Sequence, residues 1–77
     1  MSQYARWLIA EKIKFLRTGM GLTRENLSLQ LGFDNSYISK LERTKINITV
    51  DRLEKIAKFF KINITDFFYL NYRILDC

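Results

Sequence analysis

Three observations predict an all-helical fold for this chain. Apolar residues recur at three- and four-residue spacing through most of its length, no proline interrupts them, and its three glycines fall between the periodic segments. The expected architecture is a compact five-helix bundle built around a central pair of short helices, as one domain over residues 1–77. At 77 residues the chain is near the lower end of what a single core stabilises, which points to a small helical fold, a partner subunit, or both. A hydrophobic content of 48%, with six Phe, four Tyr and one Trp, is too high for a disordered tail and enough to fill a core.

The first helix is expected from about Ser2 to Thr18, where Leu8, Ile9, Ile13, Leu16 and Met20 fall at helical spacing, Trp7 and Phe15 flank the stripe, and Gly19 and Gly21 supply the stop. Thr23 precedes Arg24-Glu25-Asn26 and the apolar pair Leu27 and Leu31, so it is a good N-cap for a second helix that ends at Gly32. Asp34 or Asn35 caps the third helix. Its inward positions are Ile38 and Leu41; Ser36, Lys40 and Arg43 lie opposite, and Tyr37 and Ser39 sit on the flanks. After a loop over Thr44–Ile48, Thr49 caps a fourth helix with Leu53, Ile56, Ala57 and Phe60 inward and Arg52, Lys55 and Lys58 outward. Thr65 or Asp66 starts a last short helix carrying Phe67, Phe68, Leu70 and Ile74, a density of large apolar groups that suits contact with a second subunit.

Charge and composition exclude much. Lys and Arg number 13 against 8 acidic residues, a net charge of +5 that suits an anionic partner, either nucleic acid or an acidic membrane surface. No apolar run approaches the roughly 20 residues of a membrane span, and the start, Met1-Ser-Gln-Tyr, lacks the pattern of a secretory signal; a cytoplasmic location is expected. The single cysteine, Cys77, rules out an intramolecular disulfide and a cysteine-built metal site. Histidine is absent, which removes the commonest general base and metal ligand. The expectation is a binding protein with no enzymatic activity, cofactor, metal or small-molecule substrate.

A helix that reads base edges must be buried on one side, to fix its angle, and must present short polar or basic side chains on the other. The third helix meets that demand. Asn35 and Ser36 stand at its beginning, Lys40 one turn later reaches a guanine edge or a phosphate, and Tyr37 and Ser39 border the same face. Arg24 at the start of the second helix is aimed at a phosphate, and Arg43, Lys45 and Asn47 follow as clamps on neighbouring phosphates. Each cation that neutralises one phosphate steepens the logarithmic salt dependence by roughly 0.9.

Leu27, Gly32, Ile38, Leu41 and Glu42, with Ser28 where a small residue lets two helices pack, resemble the helix-turn-helix proteins of the phage Cro and repressor type over roughly residues 4 to 70. Arg24 stands where that family more usually has Gln. The run Asp34-Asn-Ser-Tyr-Ile-Ser-Lys-Leu-Glu-Arg43 followed by Asn47-Ile-Thr49 is most similar to the controller proteins of restriction-modification systems. Tyr37, Ile38, Ser39, Glu42, Arg43 and Asn47 match their pattern, and Asn35 and Ser36 replace the usual Arg and Thr. The resemblance implies a lambda repressor-like DNA-binding domain and a homodimer on a palindromic operator in double-stranded DNA. Its recognition helices would enter successive major grooves about 34 Å apart. It further implies two dimers on adjacent sites upstream of the chain's own gene and the endonuclease gene. A structural ion pair between Arg17 and Glu42 and a twofold interface near Ile48, Ile64, Phe67 and Phe68 complete what the family suggests.

Other readings stand beside this one. Within the same class they are a phage repressor or Cro-like switch and a DNA-binding antitoxin. A different class is an interaction module whose basic helices and aromatic C-terminal region bind an acidic protein partner. A basic amphipathic helix lying on a membrane is disfavoured because the apolar stripes are narrow enough for the core to consume them.

Overall fold

The computed structural model describes residues 2–68, so the expectations for Leu70, Ile74 and Cys77 fall outside the described residues. Helices α1 (Gln3–Gly19), α2 (Arg24–Gln30), α3 (Tyr37–Glu42) and α4 (Val50–Phe60) are followed by a 3₁₀ turn over Ile64–Phe68, and no strand is present among the described residues. The rest of the expected fifth helix lies outside the described residues, and among those described there are thus four α-helices and, where the fifth is expected to begin, a 3₁₀ turn. Locally the cause is Asp66: its carboxylate accepts from the Asn63 amide at 3.3 Å and its own amide donates to the Asn63 carbonyl at 2.9 Å, which closes a tight turn.

Helix starts follow from hydroxyl side chains. Ser2, Thr23 and Thr49 each adopt an extended backbone and accept from the amide three residues on, that of Ala5, Asn26 and Arg52 respectively. At the other end, all four helices close with the same pair of reverse hydrogen bonds around a left-handed residue. Gly21 (φ 72°) and Gly32 (φ 79°) occupy that position after α1 and α2, where a side chain would be strained. After α3 and α4 it is held by Thr44 (φ 57°) and Lys61 (φ 60°), which bear the strain of a Cβ in that region.

The core joins every element. Ile9 and Ile13 of α1, Leu27 and Leu31 at α2, Ile38 and Leu41 of α3, Leu53, Ile56 and Ala57 of α4, and Ile48 from the loop form one buried cluster with Phe67, the largest fully buried side chain. Phe60 packs against this cluster half-buried. Met20, which the periodicity places on the inward stripe of α1, is instead 57% exposed, because the chain has already left the helix axis at the turn around Gly21.

Candidate nucleic-acid interface

Helix α3 is too short, at six residues, to hold its own orientation, so its seat has to come from neighbours. Its start lacks a local cap: the N-cap is Ser36, whose side chain makes no capping hydrogen bond, and this corrects the expectation of Asp34 or Asn35. Asp34 is diverted because its carboxylate Oδ2 accepts from the Ser36 hydroxyl at 2.6 Å. The capping bond comes from the preceding helix. Ser28, fully buried, accepts from the Ile38 amide at 3.0 Å and donates to the Arg24 carbonyl at 2.9 Å. One hydroxyl thus satisfies a buried donor of α3 and fixes the α2–α3 angle. Sequence reasoning found Ser28 by its size and missed this bond.

Glu42 secures the other end of α3. Arg17 donates to it twice, Nε to Oε2 at 2.7 Å and Nη2 to Oε1 at 3.2 Å, and Arg17 Nη1 donates to the Leu22 carbonyl at 2.7 Å. Arg24 Nε adds a third bond to Glu42 Oε1 at 3.0 Å. The Glu42 side chain is only 4% exposed, so two guanidinium groups compensate a carboxylate taken out of water. The three residues tie α1, α2 and α3 together. About half of the Arg24 side chain remains exposed at the start of α2, on the outer surface beside α3.

Along the outer side of α3, Asn35, Lys40, Arg43, Lys45 and Asn47 are exposed, and Ser36 and Ser39 are half-buried. These side chains form one polar, cation-bearing edge that starts in the turn, follows the helix and continues into the loop behind it. Asp34 is the acidic group on that edge; hydrogen bonds from the side chain and then the backbone of Ser36 hold its carboxyl below the usual carboxylate range. Such an edge presents donors and acceptors at side-chain reach from a fixed rod.

Tyr37 does not belong to that edge. Of the two roles its ring and hydroxyl leave open, inward packing or a contact with DNA, the structure shows the packing: Tyr37 is buried, its hydroxyl is cut off from solvent without a hydrogen-bond partner, and its ring lies 4.8 Å from that of Phe33. The reason is α4: the Arg52 guanidinium lies over both Tyr37 and Phe33, 4.7 and 4.9 Å from the ring centres, and Lys55 Nζ lies 5.3 Å from Phe33. Arg52 and Lys55, read from sequence as outward cations, therefore clamp the turn that delivers α3. Spacing alone does not reveal this, because the partners are brought together only when α4 folds back. The expected dimer residues divide too. Phe67 is fully buried in the core and Ile48 nearly so, which corrects their placement on a surface, whereas Ile64 is half-buried and Phe68 exposed.

A central helix seated on its predecessor through a glycine turn, with a polar outer edge, is the arrangement that defines helix-turn-helix DNA-binding proteins. Residues 13–67 match the helix-turn-helix family, and the chain belongs to it. Among its relatives, the Neisseria hypothetical transcription factor of Neisseria meningitidis is 34% identical over 55 residues, covering 71% of this chain and 52% of that protein. The chain thus spans about half the length of that relative. Control protein C.BamHI of Bacillus amyloliquefaciens is 28% identical over 67 residues, covering 86% of this chain and 83% of its own length. The crystal structure of the hypothetical transcription factor NHTF from Neisseria superposes with a TM-score of 0.85 at 25% identity, over 99% of this chain and 88% of that one. Among the described residues no helix is long and apolar enough to cross a membrane, and no group of His, Cys, Asp and Glu side chains is arranged to hold a metal ion.

Proposed function

We propose that the chain is a sequence-specific transcriptional regulator that binds a palindromic operator as a homodimer and serves as the controller of a restriction-modification system. The observation that carries this reading is the seating of α3: Ser28 and Glu42 fix both ends of the helix while Asn35, Lys40, Arg43, Lys45 and Asn47 stay exposed along one side. Operation is by equilibrium binding. Asn35, Ser36, Ser39 and Lys40 meet base edges, and Arg24, Arg43, Lys45 and Asn47 hold phosphates. The controller assignment is favoured by C.BamHI, whose similarity extends over most of both chains. Ile64 and Phe68 are the surface residues left for the twofold contact.

Competition binding against operator and scrambled duplexes tests the roles. Asn35→Ala and Lys40→Ala relax sequence preference, whereas Arg43→Ala weakens binding to all duplexes nearly equally and lowers the salt slope by about 0.9. Equal loss of preference from all three variants refutes the division of roles. Footprinting of DNA upstream of the gene tests the controller assignment: protection of paired palindromic sites ahead of a neighbouring endonuclease gene supports it, and protection elsewhere in its absence leaves a general regulator.

A further inference from the structure

We infer that Asp34 is a specificity-determining residue: by holding the hydroxyl proton of Ser36 it turns the two side chains into an acceptor-only pair that reads the amino group of cytosine in the major groove. The inference rests on the regulator reading above and names part of what its site recognises.

A serine hydroxyl has one proton to donate and two lone pairs, and an ionised carboxylate only accepts. The 2.6 Å contact between Ser36 Oγ and Asp34 Oδ2 therefore commits the serine proton to the carboxylate. What remains toward the outside is a set of acceptors, the free lone pairs of the Ser36 oxygen and the remaining capacity of the carboxylate. The Ser36 hydroxyl oxygen is not used elsewhere in the fold, and the Asp34 carboxylate's other contacts are hydrogen bonds from the backbone of Ser36 and Asn35, which take part of its accepting capacity and leave it a pure acceptor. Ser36 makes no capping bond, its usual task having passed to Ser28, and the Asp34 side chain is exposed at the front of the polar edge. Ionisation is secure at neutral pH, because Ser36 holds the Asp34 carboxyl below its ordinary range and the positive charge of Lys40 acts in the same direction.

The major-groove edges then discriminate. Cytosine offers only the N4 amino donor; guanine offers the acceptors O6 and N7, thymine the acceptor O4 and a methyl group, and adenine an N7 acceptor beside its N6 donor. An acceptor-only pair is fully complemented by cytosine alone. Any other base sets acceptor against acceptor or leaves the carboxylate desolvated without a donor. Exposed Lys40 one turn later carries only donors and suits guanine, so the two features favour G·C pairs at neighbouring positions.

The test is selection by the full chain from a library of duplexes with randomised sequence, repeated with Asp34→Ala and Asp34→Asn, each checked for cooperative unfolding well above the selection temperature. The wild-type chain is expected to enrich cytosine at one position of each half-site. In Asp34→Ala that preference falls about tenfold, because the Ser36 proton becomes free to donate. In Asp34→Asn, which supplies both a donor and an acceptor and still supports the turn, the preference moves from cytosine to adenine. A merely structural role for Asp34 predicts that Asn restores the wild-type preference, and that outcome overturns the inference. So does a wild-type selection without cytosine enrichment or one unchanged in both variants. A wild-type chain that enriches no sequence overturns the regulator reading itself, which separates the two failures.

Discussion

Replacing Ser28 with alanine removes one oxygen and tests how α3 is held. That oxygen is the acceptor for the Ile38 amide at 3.0 Å, and Ile38 is fully buried, so no water can take its place without opening the α2–α3 contact. A buried donor left without a partner costs about 1–3 kcal/mol. Stability of a domain this size is roughly 0.05–0.15 kcal/mol per residue, so a loss of about 2 kcal/mol is a large fraction of the total. Each kcal/mol shifts the midpoint of a small domain by about 4–8 °C, which places the Ser28→Ala melting temperature about 10 °C below wild type. Ser36→Ala is the internal control: Ser36 occupies the N-cap position, where serine ordinarily contributes about 1 kcal/mol, but it makes no capping bond here and should cost less than about 0.5 kcal/mol. Thermal unfolding followed by circular dichroism reads both variants, and hydrogen exchange at the Ile38 amide reports the bond directly. If Ser36→Ala costs as much as Ser28→Ala, or the Ile38 amide stays equally protected in Ser28→Ala, the seating argument is wrong.

Arg17→Met strands the Glu42 carboxylate with one half-exposed partner and should cost about 3–5 kcal/mol, against less than about 1 kcal/mol for Arg24→Ala, as denaturant titration would show. Thr44→Gly relieves a β-branched side chain at φ 57° and should raise stability by about 1 kcal/mol, while Gly32→Ala at φ 79° should lower it by a similar amount; melting temperatures moving in the same direction would contradict this. Tyr37→Phe deletes a buried, unpartnered hydroxyl, so stability should hold or rise by up to about 1 kcal/mol and duplex affinity should not change; a loss of affinity returns Tyr37 to the DNA contacts. The Asp34 carboxyl should titrate below 3.8 by NMR. Because its folded pKa is depressed, the stability it lends is fully present above the unfolded value and disappears as pH falls through the folded one, and Asp34→Asn should abolish that part of the acid limb.

Most of the fold could be read along the chain because its signals are local. The N-caps at Thr23 and Thr49, the glycine turns and the inward stripes through Ile13, Leu27, Ile38, Leu41, Leu53 and Ile56 depend on neighbours within one or two turns, and helical periodicity encodes such neighbours directly. For the same reason the exposed positions Asn35, Lys40, Arg43, Lys45 and Asn47 follow from the inward ones on a short helix and its trailing loop. What failed was local logic applied where a distant group decides. Phe67 reads as an interface residue until α1 and α4 close around it, and Tyr37 as a border of the polar face until Arg52 of α4 lies over its ring, whereas Asp34 fails as a cap for a local reason, its carboxylate being engaged by the Ser36 hydroxyl.

The order of the helices, the place of each turn and the polar edge of the third helix were therefore determined by the sequence itself, through periodicity and hydroxyl caps acting over a few residues. Only the tertiary structure decided that Ser28 caps a helix it does not belong to, that Glu42 takes both Arg17 and Arg24, and that Arg52 shuts Tyr37 away from the surface. Each of these joins residues 10 or more positions apart, and such pairs meet only after the core has set the angles between helices.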